Sequence, residues 1–258
     1  MNIIPRHPLT TDRRDSLVLL LAWAAGSVDA IGYFGLDHVF TANMTGNTVL
    51  LGLALGQGHV LDALRNLVAL AGFVGGVGIG ALVGEGADPA TREGDWDRRV
   101  TGIVLLETAV MAAFTLTWHL SELPRGPRAL QWLIFLAALA MGLQSSGVRR
   151  LKLPGVATTY VTGTMTSLFT GLTTRFHETA RGGTVFAALR ETLRWNHQTR
   201  MQASVLILYA LSAVLSGLFQ LRLPALVAVT PFLALAAVVI TVALSKGQPP
   251  APTGEAGD

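Results

Sequence analysis

The chain has 258 residues, of which 51% are hydrophobic and 14% are charged. An ordinary soluble domain of this length carries charge along most of its helices. The composition therefore excludes a soluble domain and indicates a polytopic membrane protein. The sequence contains no cysteine, which excludes disulfides, thiol catalysis and thiolate metal sites. The net charge of +3 does not indicate nucleic-acid binding, because the arginines lie beside hydrophobic segments, where they set membrane topology.

Six apolar segments are long enough to cross a bilayer, which takes about 20 residues. They are 16–35, 64–83, 100–118, 130–148, 201–219 and 223–244. Two further apolar segments, 41–56 and 154–174, lie between them. The first of these is only about 24 Å long as a helix and begins with polar residues, so we expect a re-entrant half-helix that enters and leaves the membrane on one side. A tilted span in thinned lipid is the alternative.

Each of these two segments carries one copy of a repeated motif. The string VFTANMTGN at 39–47 returns as VATTYVTGT at 156–164. Both copies follow a long apolar segment, which predicts that a whole membrane unit has been duplicated. Such a duplication indicates a transporter or a pore.

The distribution of lysine and arginine favours six spans. If the amino terminus is cytoplasmic and neither motif segment crosses, most of the 19 Lys and Arg residues lie on the cytoplasmic side, where they are enriched in membrane proteins. Three crossings per unit turn the second copy upside down. The predicted fold is therefore all-α, a polytopic membrane protein with six transmembrane helices plus two re-entrant half-helices in two inverted repeats.

The chain divides into five predicted parts. They are a cytoplasmic amino-terminal segment (1–15), the first membrane repeat (16–118), a linker (119–129), the second membrane repeat (130–244) with a basic cytoplasmic loop (175–200), and a disordered tail (245–258). In the basic loop, Phe186, Leu189 and Leu193 share one helical face, which indicates an amphipathic helix on the cytoplasmic leaflet.

Three strings carry a family resemblance: GSVDAIGYFGLDHVFTANMTGNTVLLGLALG, MGLQSSGVRR and ATTYVTGTMTSL. Together they resemble the YoaK family of bacterial membrane proteins, over roughly 17–244. That family is described as integral membrane proteins of unknown function, so the resemblance implies location and overall fold but no substrate and no catalytic residue. We expect a multi-pass protein of the bacterial inner (plasma) membrane with both termini cytoplasmic.

The polar residues of the two motif copies are the predicted substrate-binding residues, because they are too polar to face lipid. They are Thr41, Asn43, Thr45, Gly46, Asn47, Thr159, Thr162, Gly163 and Thr164. A half-helix that begins there presents free N–H groups and about half a positive charge, which favours an anion. The alternative is that these residues only cap and pack the half-helices.

Two acids lie within predicted spans, where an ionised side chain is costly and should face a cavity or a partner. Glu107 has no basic neighbour in its segment and is a predicted proton carrier, with Asp29 as its companion. Gln144 occupies the position of Asp29 in the second copy. The alternative is that each carboxyl only joins helices by hydrogen bonds.

Glycines recur every four residues along one predicted span, at Gly72, Gly76, Gly80 and Gly84. Small residues at this spacing let helix backbones approach closely in lipid. The contact they predict is either internal or a homodimer interface.

The most favoured function is transport of a small anionic or polar solute between the two half-helices, coupled to protons. A passive channel and a non-transporting scaffold or regulator are the alternatives. An enzyme is not expected, because all six histidines fall at segment ends or in loops, with no metal-ligand spacing. No cofactor or metal is expected either, and the predicted partners are the lipid bilayer and the solute.

Overall fold

The computed structural model describes residues 9–86, 95–121, 125–182, 184–192 and 194–245. Residues 1–8 of the predicted amino-terminal segment, Leu193 and 246–258 of the predicted tail lie outside the described residues. Within the described part the chain forms nine helices and no strand. They are α1 (Thr11–Gly35), α2 (Met44–Gln57), α3 (Val60–Val83), α4 (Arg98–Leu120), α5 (Pro127–Arg150), α6 (Val161–Gly182), α7 (Val185–Thr192), α8 (His197–Arg222) and α9 (Val229–Leu244).

Five of these helices are long and apolar enough to cross a membrane: α1, α3, α4, α5 and α8. Helix α9 is apolar but has only 16 residues. The predicted span at 223–244 begins six residues too early, because α8 ends just before Leu223, whose φ of −143° and ψ of 59° are not helical, and the chain turns after Pro224 until α9 starts. Most other helices extend beyond their predicted apolar segments, since hydropathy does not register their polar first and last turns.

Polar side chains at the helix starts explain where several helices begin. The Asp97 carboxylate accepts the Val100 N–H at 2.7 Å at the start of α4, and the Asn196 side chain accepts the Thr199 N–H at 2.8 Å at the start of α8. Helix α2 ends at Gly58, whose φ of 74° is the left-handed conformation that glycine adopts readily. This residue turns the chain directly into α3.

The glycine stripe of α3 packs along α5 inside the chain. A methyl group at Gly72 would lie 2.8 Å from the carbonyl oxygen of Phe135, and one at Gly80 would lie 2.7 Å from Ser146 Cβ. The contacts advance along both helices together, so α3 and α5 run parallel. The sequence allowed either an internal contact or a homodimer interface for the glycine stripe. The internal contact is present, because α5 covers the glycine face of α3.

Helices α1 and α8 form a second parallel pair. Asp15 contacts His197 at 2.5 Å near the start of both helices, and Asp29 accepts the Tyr209 hydroxyl further along. Gly26 lies against Ser212 at this interface. Helix α1 therefore packs along α8 as α3 packs along α5, while α4 packs against α5 and α9 packs against α1.

An ion pair and a short connection bring both ends of the first motif segment to one end of α3. Asp37, which precedes the motif, forms a 2.7 Å ion pair with Arg65 in the second turn of α3. Gln57, at the end of α2, is three residues before the start of that same helix. Since α1 has just ended at Gly35, α3 runs antiparallel to α1.

The second motif segment has the same relation to α8. The carbonyl of Pro154 accepts from Gln198 at 3.2 Å and from Gln202 at 3.3 Å. Arg175, beyond the apolar part of α6, donates to Thr199 Oγ1 at 3.5 Å. Both ends of this segment therefore lie beside the first two turns of α8.

The predicted basic loop at 175–200 contains the end of α6, helix α7 and the start of α8. Phe186 and Leu189 of α7 are exposed, at 86% and 49%. An exposed apolar face on a short helix is consistent with the expected position at a lipid surface.

Candidate functional site

The buried carboxylate of Asp29 holds the first motif in place. Its Oδ1 accepts the backbone N–H of Thr41 at 2.7 Å, of Ala42 at 2.6 Å and of Asn43 at 3.4 Å, and its Oδ2 accepts the Tyr209 hydroxyl. Asp29 lies about 9 Å before the end of α1, so the motif folds back along that helix before α2 begins. The carboxylate thus caps the chain that leads into α2 and compensates its partial positive charge.

Asn47 and Thr164 close equivalent loops in the two motif copies. The Asn47 side chain bonds both the N–H and the C=O of Phe40, at 2.9 and 2.6 Å. The Thr164 hydroxyl bonds both the N–H and the C=O of Ala157, at 3.0 and 3.1 Å. In both copies the two bonded residues are seven positions apart. The Thr164 hydroxyl therefore makes the same loop-closing contacts as the Asn47 amide.

Gln144 has the position in the second copy that Asp29 has in the first. Its Nε2 donates to Thr158 Oγ1 at 2.7 Å and to the carbonyl of Leu21 at 3.0 Å, whereas Oε1 has no hydrogen-bond partner among the described residues. Asp29 and Gln144 each hold the first threonine of a motif copy, Thr41 or Thr158. The two copies share this contact but differ in charge.

A cavity of about 490 Å³, here the central cavity, lies between the two motif copies. Asn43 of the first copy and Thr159 and Thr162 of the second lie on its wall. Its described lining residues are Gly26, Asp29, Ala30, Tyr33, Phe34, Phe40, Asn43, Thr159, Tyr160, Val161, Thr162, Tyr209, Ala213 and Gly217. Residues more than 100 positions apart in the sequence therefore share one cavity.

A second recess of about 600 Å³, here the side cleft, adjoins the central cavity. The predicted residues Thr45 and Gly46 line it, as does His38. The residues common to both recesses are Tyr33, Phe40, Asn43, Tyr160 and Thr162. Aromatic rings therefore form the boundary between the two.

The remaining predicted binding residues have local structural contacts. Thr41 is fully buried and its hydroxyl lies 3.3 Å from Asp29 Oδ1. Asn47 and Thr164 close the loops described above, and Gly163 packs under the ring of Tyr160. None of these four residues is among the lining residues of either recess.

The two acids that the sequence suggested as companions occupy different surroundings. Asp29 lines the central cavity, whereas Glu107 is fully buried and lines neither recess. Neither carboxylate oxygen of Glu107 has a hydrogen-bond partner in the described part of the chain. A carboxyl in such a place is costly when ionised.

The aromatic side chains of the cavity wall were not among the predicted site residues. Tyr33 and Phe40 stack with their ring centroids 5.7 Å apart and an interplanar angle of 29°. Tyr160 interrupts the second motif, and Tyr209 lies on α8, far from either motif in the sequence. Phe40 and Tyr160 belong to the two motif copies, so the sequence could have indicated them. No sequence pattern around Tyr209 indicates that it lines the cavity.

The wall carries negative charge. Of the described residues that line the central cavity, Asp29 is the one acid, and none is lysine, arginine or histidine. The N–H groups of Thr41, Ala42 and Asn43, which lie just before α2, bond Asp29. Among the described residues no group of three or more His, Cys, Asp or Glu could hold a metal ion.

Comparisons with known proteins agree with the resemblance seen in the sequence. The family model described as "Protein of unknown function (DUF1275)" matches residues 17–243. The UPF0700 transmembrane protein YoaK of Bacillus subtilis (strain 168) is 35% identical over 208 residues, which cover 80% of this chain and 84% of that protein. No solved structure matches the chain. The extent of these two matches, together with the five long apolar helices, confirms the predicted resemblance and a multi-pass membrane protein, and the chain belongs to the DUF1275 family.

Proposed function

We propose that the protein carries a small polar solute across the membrane through the central cavity. The observation that supports this most directly is a wall built from both copies of the motif, in which Asn43 lines the same space as Thr159 and Thr162. Polar side chains and non-helical backbone at membrane depth are tolerated where they line such a cavity. Duplicated units that meet at a polar site are the common plan of secondary transporters.

The proposed topology has six crossings, by α1, α3, α4, α5, α8 and α9, and two re-entrant motif segments. The ion pair of Asp37 with Arg65 supports re-entry of the first segment, because it keeps both segment ends beside the start of α3. Helix α2 is about 21 Å long, which is short of the roughly 30 Å of hydrocarbon in a bilayer. The contacts of Pro154 and Arg175 with α8 support re-entry of the second segment.

The helix directions support inversion of the repeats. Helix α3 returns antiparallel to α1, and α5, the first helix of the second repeat, runs parallel to α3. The two units therefore point in opposite directions, and their motif segments enter the membrane from opposite faces. We assign both termini to the cytoplasmic side of a bacterial inner membrane, because this orientation keeps most lysines and arginines cytoplasmic.

In this proposal Glu107 is the proton-carrying group. Its buried carboxyl, which is unpaired among the described residues, supports the assignment. Because Glu107 lines neither recess, it would act through the packing of α4 on α5 rather than by touching the solute.

Uptake by proteoliposomes tests the transport proposal. The purified chain is reconstituted and supplied with a panel of labelled polar solutes, and uptake is compared with empty liposomes. We expect Asn43→Ala and Thr162→Ala to lower uptake about tenfold, as the loss of one hydrogen bond of roughly 1.5 kcal/mol predicts. Thr48→Ala and Thr166→Ala are matched controls, because these exposed threonines bond only the preceding helical turn and should leave uptake near wild type.

Two results would contradict transport through this cavity. Equal uptake by all four variants would mean that the solute does not pass through the cavity. Uptake no faster than in empty liposomes for every solute would favour a scaffold.

Proton coupling is tested separately by Glu107→Gln, which preserves shape and removes the titrating group. Uptake driven by a proton gradient should be lost, while solute binding is retained. Uptake that ignores both the gradient and this substitution would favour a passive channel.

A further inference from the structure

We propose that the central cavity binds a solute that carries a cationic alkylammonium group. The inference rests on the proposed function and names the chemical class of its solute. It departs from the anion expected from the helix starts, because the charges and rings of the wall favour the opposite sign.

The first argument is the charge of the wall. Asp29 is the one charged side chain among the described lining residues. The start of α2 compensates about half a unit of this charge, which leaves roughly half a unit of negative charge facing the space. Surrounding protein and lipid of low dielectric strengthen its attraction for a cation.

The second argument is the unused bonding capacity of the carboxylate. Oδ1 of Asp29 is occupied by backbone N–H groups, but Oδ2 accepts only from the Tyr209 hydroxyl in the described structure. A carboxylate oxygen accepts two hydrogen bonds, and the tyrosine oxygen can itself accept one. Both Asp29 and Tyr209 line the cavity, so an N–H or a polarised C–H of an alkylammonium group has acceptors there.

The third argument is the aromatic content of the wall. Tyr33, Phe34, Phe40, Tyr160 and Tyr209 line the cavity around the acid. Tyr33 and Phe40 stack on each other and both line the cavity, and the faces of such rings attract ammonium groups. Aromatic rings combined with one carboxylate are the recurring chemistry of alkylammonium recognition.

The cavity also has room for such a solute. Its volume of about 490 Å³ falls within the roughly 300–1,000 Å³ of small-molecule sites. An ammonium group can belong to a simple cation or to a zwitterion. The wall leaves both open, because Thr159 and Thr162 of the second motif copy offer hydroxyl donors to the carboxylate of a zwitterion.

Calorimetric binding to the full chain in lipid nanodiscs tests the inference independently of transport. The probes are choline, glycine betaine and dimethylbutanol, which represent a cation, a zwitterion with the same trimethylammonium group, and a neutral carbon isostere of choline. We expect choline or glycine betaine to bind at least about tenfold more tightly than dimethylbutanol. Tighter binding of either ammonium probe supports the inference. The order of their affinities shows whether the second motif copy also accepts the carboxylate of glycine betaine.

Two variants assign the binding to the cavity. Asp29→Asn should weaken binding of the ammonium probes at least about tenfold, because it removes the charge. Asp29 also anchors the motif, so Tyr160→Leu is the second variant: it removes a ring that is 58% exposed and should weaken the same probes several-fold. Phe169→Ala is the matched control, since this 58% exposed ring of α6 lines neither recess and its loss should change nothing.

The inference is overturned if dimethylbutanol binds as tightly as choline, if sulfate binds and both ammonium probes do not, or if Tyr160→Leu leaves binding by the folded protein unchanged. Its failure is distinguishable from failure of transport. Ammonium binding without uptake would contradict the transport proposal alone. Uptake of a neutral or anionic solute that Tyr160→Leu does not affect would contradict the ammonium site alone.

Discussion

At the scale of single residues, side-chain hydrogen bonds hold the loop of the first motif copy against α1. Backbone N–H and C=O groups in such a loop must find partners within the protein, because lipid offers none. Asp29, Asn47 and Thr164 supply these partners from buried positions. The polar residues of the motif therefore satisfy the backbone or line a cavity, and Asn43 does both, since its side chain also accepts the Gly46 N–H at 3.3 Å.

The loop-closing role of Asn47 predicts that alanine and threonine at this position differ in their effect on stability. Asn47→Ala removes two side-chain hydrogen bonds at a fully buried position and should destabilise the protein by about 2 kcal/mol. Asn47→Thr should restore part of that loss, because a threonine closes the equivalent loop at Thr164. Thermal unfolding in detergent measures both. A threonine variant no better than the alanine variant would contradict the equivalence of the two loops.

At the scale of helices, close approach between α3 and α5 depends on particular glycines. Gly76 lies against the backbone of α5, where an added methyl group would be 2.9 Å from the Leu143 nitrogen. Gly78, two residues further on the same helix, has nothing within 4 Å of an added methyl group. The same substitution therefore meets opposite surroundings at two neighbouring positions.

We predict that Gly76→Ala destabilises the fold by about 1–3 kcal/mol through overpacking of the two helices. Gly78→Ala should be neutral or stabilising by up to about 1 kcal/mol, because alanine favours the helix over glycine. Denaturant unfolding in mixed micelles compares the two variants. Equal effects would mean that α3 and α5 do not touch at Gly76.

At the scale of the whole molecule, the fold interleaves its two halves. Helix α1, which precedes the first motif copy, pairs with α8, and α5, which precedes the second copy, pairs with α3. Neither half encloses the central cavity alone, because its wall needs both motif copies. A solute pathway at this place would thus depend on the assembly of both repeats.

Topology is directly measurable because the chain contains no cysteine. Single cysteines introduced as Asp37→Cys and Gln57→Cys should react with an impermeant thiol reagent from the same side of a sealed vesicle. Lys152→Cys and His177→Cys should react together from the opposite side, as the proposed inversion of the second repeat requires. All four positions are exposed. Labelling of Asp37→Cys and Gln57→Cys from opposite sides would contradict re-entry.

Sequence reasoning identified the long apolar helices and the recurring motif because these signals are local. Hydropathy within a window reports a helix that lipid can surround, and the recurrence of VFTANMTGN as VATTYVTGT is visible in the sequence itself. The same reasoning matched Gln144 with Asp29, because they stand 12 and 10 residues before a motif copy. It did not foresee that the carboxylate of Asp29 would bond the backbone just before α2.

By itself, then, the sequence determined the membrane class, the long apolar helices, the duplicated motif and the family. Only the tertiary structure decided which polar residues face a cavity, that Tyr33, Phe40 and Tyr209 join them, and that Glu107 stands apart from Asp29. The physical reason is that periodicity and hydropathy act over one or two helical turns. The wall of the cavity depends on how helices more than 100 residues apart pack side by side.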